Sequence, residues 1–373
     1  MKLAFWFSAI LVFYAYLGYW GWLWIVSRVR PKPLRRGAYL PFVSVVMIVH
    51  NEENTLPSKM QNLLGLDYPQ DRVKFVIVSD GSRDSTELIL LEAQKDLRCH
   101  VLIFSERKGK ACRLNSALQI AKGEIVLFVD ARQDIERDGL RILMENFADD
   151  SVGCASGELM LGDAASGETE RKMGIYWQIE KKIRELESAS GSVVGATGAL
   201  YAARRALLVP IPLDTILDDV LLPLHVARQG ARVVFDPRAR AWDSPDLGSG
   251  REFGRKVRTL TGNYQLLQLA PWLLGRENPL RFRFVSHKLL RLIVPFALAT
   301  MLLTSLAVPH AFYRTAFVCQ SIFYVLSLFA LTDLRPGPFA RAANAAFALI
   351  VLNAAAIVAF SNFVTGRKEV WVR

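Results

Sequence analysis

Cysteine is scarce in this chain: Cys99, Cys112, Cys154 and Cys319 are the only four in 373 residues, and no two form a Cys-x-x-Cys pair. That spacing supports neither a zinc site nor a disulfide framework, and reads as packing residues in a reducing compartment. A Gly-x-Gly-x-x-Gly turn is missing after the first apolar strand, where a dinucleotide-binding fold carries it. Asn51-Glu52-Glu53 stands there instead, which sets aside a dinucleotide oxidoreductase with a membrane tail. No basic stretch is interleaved with aromatics in a recognised module, which argues against nucleic-acid binding despite a formal net charge of +11. No internal repeat or low-complexity segment appears. Charge is nearly absent from the amino end, where Lys2 is the only charged residue in 1–26.

What is abundant is apolar residue: 52% of the chain, with a mean hydropathy of +0.22. The excess sits at the two ends. Residues 1–26, 289–309, 311–332 and 342–364 are four runs long enough to cross a bilayer, which takes about 20 apolar residues. The first is too long, and too rich in Trp and Tyr, for a cleaved signal peptide; it reads as a retained anchor. Arg28, Arg30, Lys32, Arg35 and Arg36 follow it at once. The positive-inside rule puts that flank, and the central domain after it, in the cytoplasm. Three carboxy-terminal spans then lead the tail outside, against which Arg367, Lys368 and Arg373 argue. Residues 263–274 are apolar but too short to span, and suit a helix lying in the membrane interface.

Between these ends, residues 40–245 alternate strands and helices, the βαβα pattern of a doubly wound α/β sheet, mostly parallel. Three continuous β-branched runs read as buried strands. They end in His50-Asn51-Glu52-Glu53, in Asp80 and in Asp130. Open α/β sheets bind ligands at the carboxyl ends of their strands, so acids stand where a ligand would sit. Helices are predicted over 55–64, from Asp84-Ser85-Thr86 to about 94, over 110–121, over 174–188 and from Asp218-Asp219 to before Gly230. Ile175, Ile179, Ile183 and Leu186 share one face of the fourth.

Five elements line up in order: Asn51-Glu52-Glu53; Asp80-Gly81-Ser82-Arg83-Asp84-Ser85-Thr86; Lys108-Gly109-Lys110-Ala111 with Asn115; Asp130-Ala131-Arg132; and Asp218-Asp219 before a helix. In this order and spacing the chain resembles the family 2 glycosyltransferases, over residues 42–260. Its flanking spans resemble those of the membrane-bound polysaccharide synthases. The resemblance implies a GT-A fold, a Rossmann-like, mostly parallel sheet with flanking helices, plus amino- and carboxy-terminal transmembrane helices. The boundaries expected are an anchor at 1–27, a GT-A domain at 40–245, a diphosphate-closing and membrane-interface segment at 246–286 and three spans at 287–365.

The resemblance also implies roles. Asp80 would accept a hydrogen bond from the donor's uracil, and Glu52 would face the nucleotide. Lys108 and Lys110 could meet phosphate at a helix start, or be a solvated pair; Asn115 would buttress that loop. Asp130 matches the first Asp of an Asp-x-Asp motif that holds Mg²⁺ or Mn²⁺ against the diphosphate. Arg132 stands where the second Asp would be. Three readings stand side by side: Asp130 serves alone, Arg132 supplies part of the positive charge, or Asp134 reaches in. Asp219, with Asp218 before it, matches the general base that deprotonates the acceptor. Arg255 and Arg258 fall in a Gln-x-x-Arg-Trp motif as its Gln and Arg positions, with Arg258 on the diphosphate. Thr259 replaces the Trp that stacks on an acceptor sugar, which puts processive extension in doubt. Tyr176 and Trp177 could offer another platform, or contact a helix or the membrane. Residues 195–201, with Gly195 and Gly198, resemble the strand lining the acceptor site. His50 and His225 receive no role. The function implied is a multi-pass cell-membrane enzyme with a cytoplasmic catalytic domain. It would move a hexose from a nucleotide sugar, a UDP-sugar, to a glycan or lipid-linked acceptor with inversion. Arg132 and Thr259 motivate the alternative, a non-catalytic nucleotide-sugar-binding scaffold of a synthase complex.

Overall fold

The computed structural model describes residues 1–162, 175–243, 249–332 and 337–366. The tail cations Arg367, Lys368 and Arg373 lie outside the described residues. The strands are β1 (Val43–Val49), β2 (Val73–Asp80), β3 (Cys99–Phe104), β4 (Ile125–Val129), β5 (Gln133–Ile135), β6 (Val152–Leu161), β7 (Leu200–Arg204) and β8 (Arg232–Asp243). Among the described residues they form one eight-stranded sheet in the order β3-β2-β1-β4-β7-β6-β8-β5.

The two-residue period of a strand explains the layers. Val45, Met47, Phe75, Ile77 and Leu127 point to one face. There they pack on Leu56 and Leu63 of helix Leu56–Leu64 and on Leu140 and Leu143 of helix Gly139–Glu145. Val46, Val76, Val78, Val126 and Phe128 point to the other, against Ala111, Leu114 and Ala117 of helix Lys110–Ile120 and Leu221 and Leu224 of helix Asp218–Arg228. Each fully buried Val, Leu or Phe contributes roughly 1.5–3 kcal/mol, so β1, β2 and β4 need no polar face.

The expectation of a mostly parallel sheet holds for the half β3-β2-β1-β4, which is parallel throughout. The other half is mixed: β7 runs antiparallel to β4 and β6, β5 antiparallel to β8, and only β6 and β8 are parallel. A five-residue strand entered from Gly198 and a three-residue edge strand carry too little periodicity to reveal direction.

Residues 263–274 also differ from the expected interfacial helix. Residues 263–269 complete the 21-residue helix Ser249–Leu269, and Pro271 then starts a 3₁₀ turn, Pro271–Leu274. A proline disfavours helix at the residue before it. Leu266, Ala270 and Leu273 are buried in the domain core, and Trp272 packs on His225, with the rings 4.9 Å apart. His225 is thus a packing residue.

Among the described residues, four helices are long and apolar enough to cross a membrane: Lys2–Val29, Arg281–Ala307, Ala311–Leu331 and Pro338–Val364. The first and second each contain a π turn, Tyr14–Gly18 and Val285–Leu289, and meet there through the Tyr14 hydroxyl and Ser286 Oγ at 2.9 Å. Helix Ile175–Ala189 lays Ile183 and Leu186 onto Tyr19 and Leu23 of the first. The basic linker after that helix is strapped to the domain. Arg36 donates to Asn146 Oδ1 (3.1 Å) and lies 3.4 Å from Asp236, and the Lys32 amide donates to the Ala189 carbonyl (2.8 Å).

Candidate active site

The carboxyl ends of β1 and β2 are stitched together by their own loops. Asn51, at a φ of 53°, accepts from the Arg83 amide (2.8 Å), while Asp84 accepts from the Thr86 and Glu53 amides (3.0 and 3.2 Å). His50 Nδ1 meets the Asp80 carbonyl at 2.8 Å. Gly81 has a φ of 65°, and a Cβ there would come within 2.7 Å of the Arg107 amide, so the chain passes too closely for a side chain.

Asp80 itself is 3% exposed and fully engaged on one oxygen. Its Oδ1 accepts from Arg113 Nε (2.7 Å) and the Lys108 amide (2.8 Å), and its Oδ2 from the Gly109 amide (2.8 Å). Arg113 also stacks over Phe104, with its guanidinium carbon 3.8 Å from the ring centre. A cleft of about 690 Å³ opens beside this knot, lined by His50, Asn51, Arg83, Ser105, Arg107 and Lys108 among others. The Lys108 side chain points outward to Glu106 at 3.4 Å. A 440 Å³ cavity lined by Phe42, Ser44 and Lys74 holds none of the acids singled out above.

Around Gly198 the picture is different. A methyl group added to Gly198 would stand 3.4 Å from Asp130 Oδ2 and 3.4 Å from Asp219 Oδ2. Residues from β4's end and from the start of helix Asp218–Arg228, nearly 90 positions apart in the sequence, therefore share one floor. Lys110 enters the same space: its Nζ donates to Asp130 Oδ1 (3.0 Å) and lies 3.4 Å from Asp218 Oδ2. Asp218 is buried and accepts from the Tyr201 hydroxyl at 3.4 Å. The Asp219 carbonyl accepts from the Ala196 amide (2.7 Å), which pins the helix start to the glycine-bearing segment. Burial, then the Asp218 and Asp130 charges, push the Asp219 carboxyl up to about 6, against Lys110 and Lys288. Burial works against the Lys110 charge, yet Asp130, Asp218 and Asp219 outweigh it and hold the ammonium above its usual range. Three carboxylates and one ammonium in one cleft give a base near neutrality, as proton abstraction requires.

Residues 44–209 match the family model for glycosyl transferase family 2. Over that stretch the chain is similar to the family 2 glycosyltransferases. The chain is 22% identical over 229 residues to the poly-beta-1,6-N-acetyl-D-glucosamine synthase of Staphylococcus aureus strain MSSA476, covering 60% of this chain and 55% of the relative. The Staphylococcus epidermidis synthase is 23% identical over 234 residues, 62% and 56% of the two chains. The chain thus spans about half the length of the curated relatives it matches. A mannosyltransferase from Pyrobaculum calidifontis, solved with GDP-Man and Mn²⁺, superposes with a TM-score of 0.73 at 22% identity, over 98% of this chain and 99% of that one. At that identity the likeness shows the fold, a GT-A sheet with apolar helices.

Such a fold implies a divalent cation, and the residues of this chain bear on whether they could hold one. Among the described residues no three His, Cys, Asp or Glu side chains form a ligand group. The Asp130 and Asp219 Oδ2 atoms do both face Gly198. Mg²⁺ and Mn²⁺ sites often take one or two carboxylates and complete the shell from substrate phosphates and water, so the donor set fits a cation that arrives with a diphosphate. Arg132 is 65% exposed and turned toward the β1 loop, with its Nε 3.2 Å from Glu52 Oε1. Glu52 also accepts from Thr55 Oγ1 at 2.7 Å. Asp134 is exposed on β5.

Arg255 and Arg258 are exposed on helix Ser249–Leu269. Arg255 lies 3.7 Å from Asp243, and Arg258 makes no hydrogen bond or ion pair among the described residues. Trp177 is half-buried; the Tyr176 side chain lies outside the described residues. Asn115 exchanges two hydrogen bonds with Ile211 (2.8 and 3.0 Å), so it braces the segment before Asp218 rather than the lysine loop. Sequence reasoning missed Asp243, whose carboxyl is raised by burial and by Asp130, against Gln133, Arg255 and Arg132. It ends β8 as Asp80 ends β2, but Asp236, Pro237, Arg238 and Arg240 interrupt that strand's apolar pattern, so no unbroken run pointed to it. It also missed Lys59, 1% exposed, whose ammonium donates to the Gln133 carbonyl under the Asp130 loop. Burial pulls Lys59 down to about 8, against Asp134 and Asp130. Nothing local marks a lysine as buried.

Proposed function

We propose that this glycosyltransferase moves a hexose from a UDP-sugar to a glycan or lipid-linked acceptor at a membrane, with inversion at the sugar carbon. The observation that carries it is the shared floor at Gly198, where Asp130, Asp219 and Lys110 meet. Asp219 takes the acceptor's hydroxyl proton as that oxygen attacks the sugar's first carbon, and the nucleoside diphosphate leaves from the opposite face. A divalent cation held by Asp130 would neutralise charge on the departing diphosphate. Lys110, and Arg258 from its exposed helix, add positive charge for the same group. Asp80 supports a uracil donor by a count of lone pairs. A carboxylate offers about four acceptor sites; three are filled. The site remaining on Oδ2 suits the single ring N–H of uracil, whereas guanine presents two donors side by side. The basic flank at residues 28–36 supports a cytoplasmic catalytic domain in a multi-pass membrane protein.

The test is a panel of radiolabelled nucleotide sugars offered to membranes containing the protein, with product size read on a gel and released nucleotide measured. A single UDP-hexose should label a glycan or lipid fraction. Release of no nucleotide diphosphate from any donor would overturn the reading in favour of a binding scaffold.

A further inference from the structure

Between the carboxylates and the apolar helices runs a polar seam that the proposed reaction leaves unused. Glu187, whose side chain is fully buried, accepts from the Tyr19 hydroxyl (2.5 Å) and meets His287 Nδ1 at 3.0 Å. Glu180 meets His287 Nε2 at 2.8 Å and Arg291 Nη1 at 2.7 Å. Arg283 is engaged by the carbonyls of Glu187, Ser190 and Ser192 at 2.6, 3.0 and 2.8 Å. Glu180 therefore already has a cationic partner in Arg291, and Glu187 is engaged by the Tyr19 hydroxyl and the His287 ring.

Two further cations remain. Arg184 donates to Thr197 Oγ1 (2.6 Å) and stands 3.9 Å from Glu180. Lys288 is half-buried in the π turn and makes no hydrogen bond among the described residues. It feels Arg184 and Arg291 as like charges, besides Glu180 and Glu187, and its own charge reaches Asp219. Thr197 is the residue before Gly198, so Arg184 abuts the catalytic floor. Withdrawing a cation from water is costly unless an anion pairs with it. Here cations outnumber carboxylates, at the foot of a helix long enough to cross a bilayer.

We infer that Arg184 and Lys288 form a site for the phosphate of a lipid acceptor, holding its head group beside Asp219 while the apolar tail lies along helix Arg281–Ala307. The inference rests on the transferase reading and names the acceptor class within it. It is tested with the full-length protein in detergent, titrated calorimetrically with hexadecyl phosphate, hexadecanol and inorganic phosphate. Hexadecyl phosphate should bind, and Lys288→Met and Arg184→Met should each weaken it about tenfold, the loss expected for one hydrogen bond to a charged group. Lys288→Arg should restore it, and UDP affinity, unchanged in all three variants, shows that they fold. Equal binding of hexadecanol, equal binding of inorganic phosphate, or wild-type affinity in both Met variants would overturn it. Donor turnover, measured alongside, separates the two claims. Lipid binding without turnover in the wild type defeats the transferase reading alone, and turnover without lipid binding defeats the phosphate site alone.

Discussion

Asp80 and Asp219 are both aspartates at the mouth of one sheet, yet the protein treats them in opposite ways. Asp80 is surrounded by donors: an arginine and two backbone amides fill three of its lone pairs. Asp219 is surrounded by acids, with Asp218 and Asp130 beside it, and Lys110 and Lys288 to offset them. A carboxylate saturated with donors is a fixture, able to hold a loop and one further ligand atom. A carboxylate crowded by like charge is primed to take a proton. On the proposed reading, the carboxyl end of β2 serves recognition and the surroundings of Gly198 serve reaction.

The contrast can be broken at several points. The largest effect is expected from Asp219→Asn, which removes the proton acceptor and keeps the shape. Transfer should fall by about 10²–10⁴-fold while UDP affinity stays within the error of calorimetry; lost UDP binding would make Asp219 a donor-site residue like Asp80. Arg113→Met tests the other pole. It leaves a buried carboxylate without its cation and should lower stability by about 3–5 kcal/mol, read as a fall in Tm together with lost nucleotide binding. Unchanged melting would mean that Asp80 does not depend on Arg113. Gly198→Ala is gentler. The added methyl meets only ordinary contacts, 3.4 Å from each carboxylate oxygen, so Tm should hold. It fills the space the proposed cation and diphosphate would share, and Mn²⁺-dependent nucleotide affinity should drop about tenfold. Arg132→Ala should matter least. Exposed ion pairs are worth about 0–1 kcal/mol, so KM for the donor should move by about threefold or less, and a collapse of activity would instead give Arg132 part of the cation's duty.

These two poles were unequally visible in the sequence. Asp80 and Asp130 announce themselves because each closes an unbroken apolar run, and the run, the strand and the sheet position follow from local pattern alone. Asp219 was found through a resemblance in motif order, since two acids opening a helix have a plain capping role as well. What lay beyond reach was everything set by chain crossing. Arg113 reaches Asp80 from 33 residues away, from the helix after the lysine loop. Lys110 read as a phosphate contact or a solvated lysine, and only the approach of β4 and helix Asp218–Arg228 turns it into the counter-charge of an acidic cluster. The antiparallel return of β7, which carries Gly198 under that cluster, is likewise a tertiary event. Lys288 and Arg184 lie on helices whose apolar patterns predict packing and say nothing of the polar seam between them.

The central claim is that Asp219 is the base of this cleft, tuned upward by its acidic neighbours and downward by Lys110. The most direct measurement is the pH dependence of kcat/KM for wild type and Lys110→Met. Activity should rise as the base loses its proton, with an acid limb near pH 6 in the wild type. In the variant, stripped of its offsetting cation, that limb should move up by about one pH unit. A limb at the ordinary carboxylate value near pH 4 that stays in place in the variant would contradict the account.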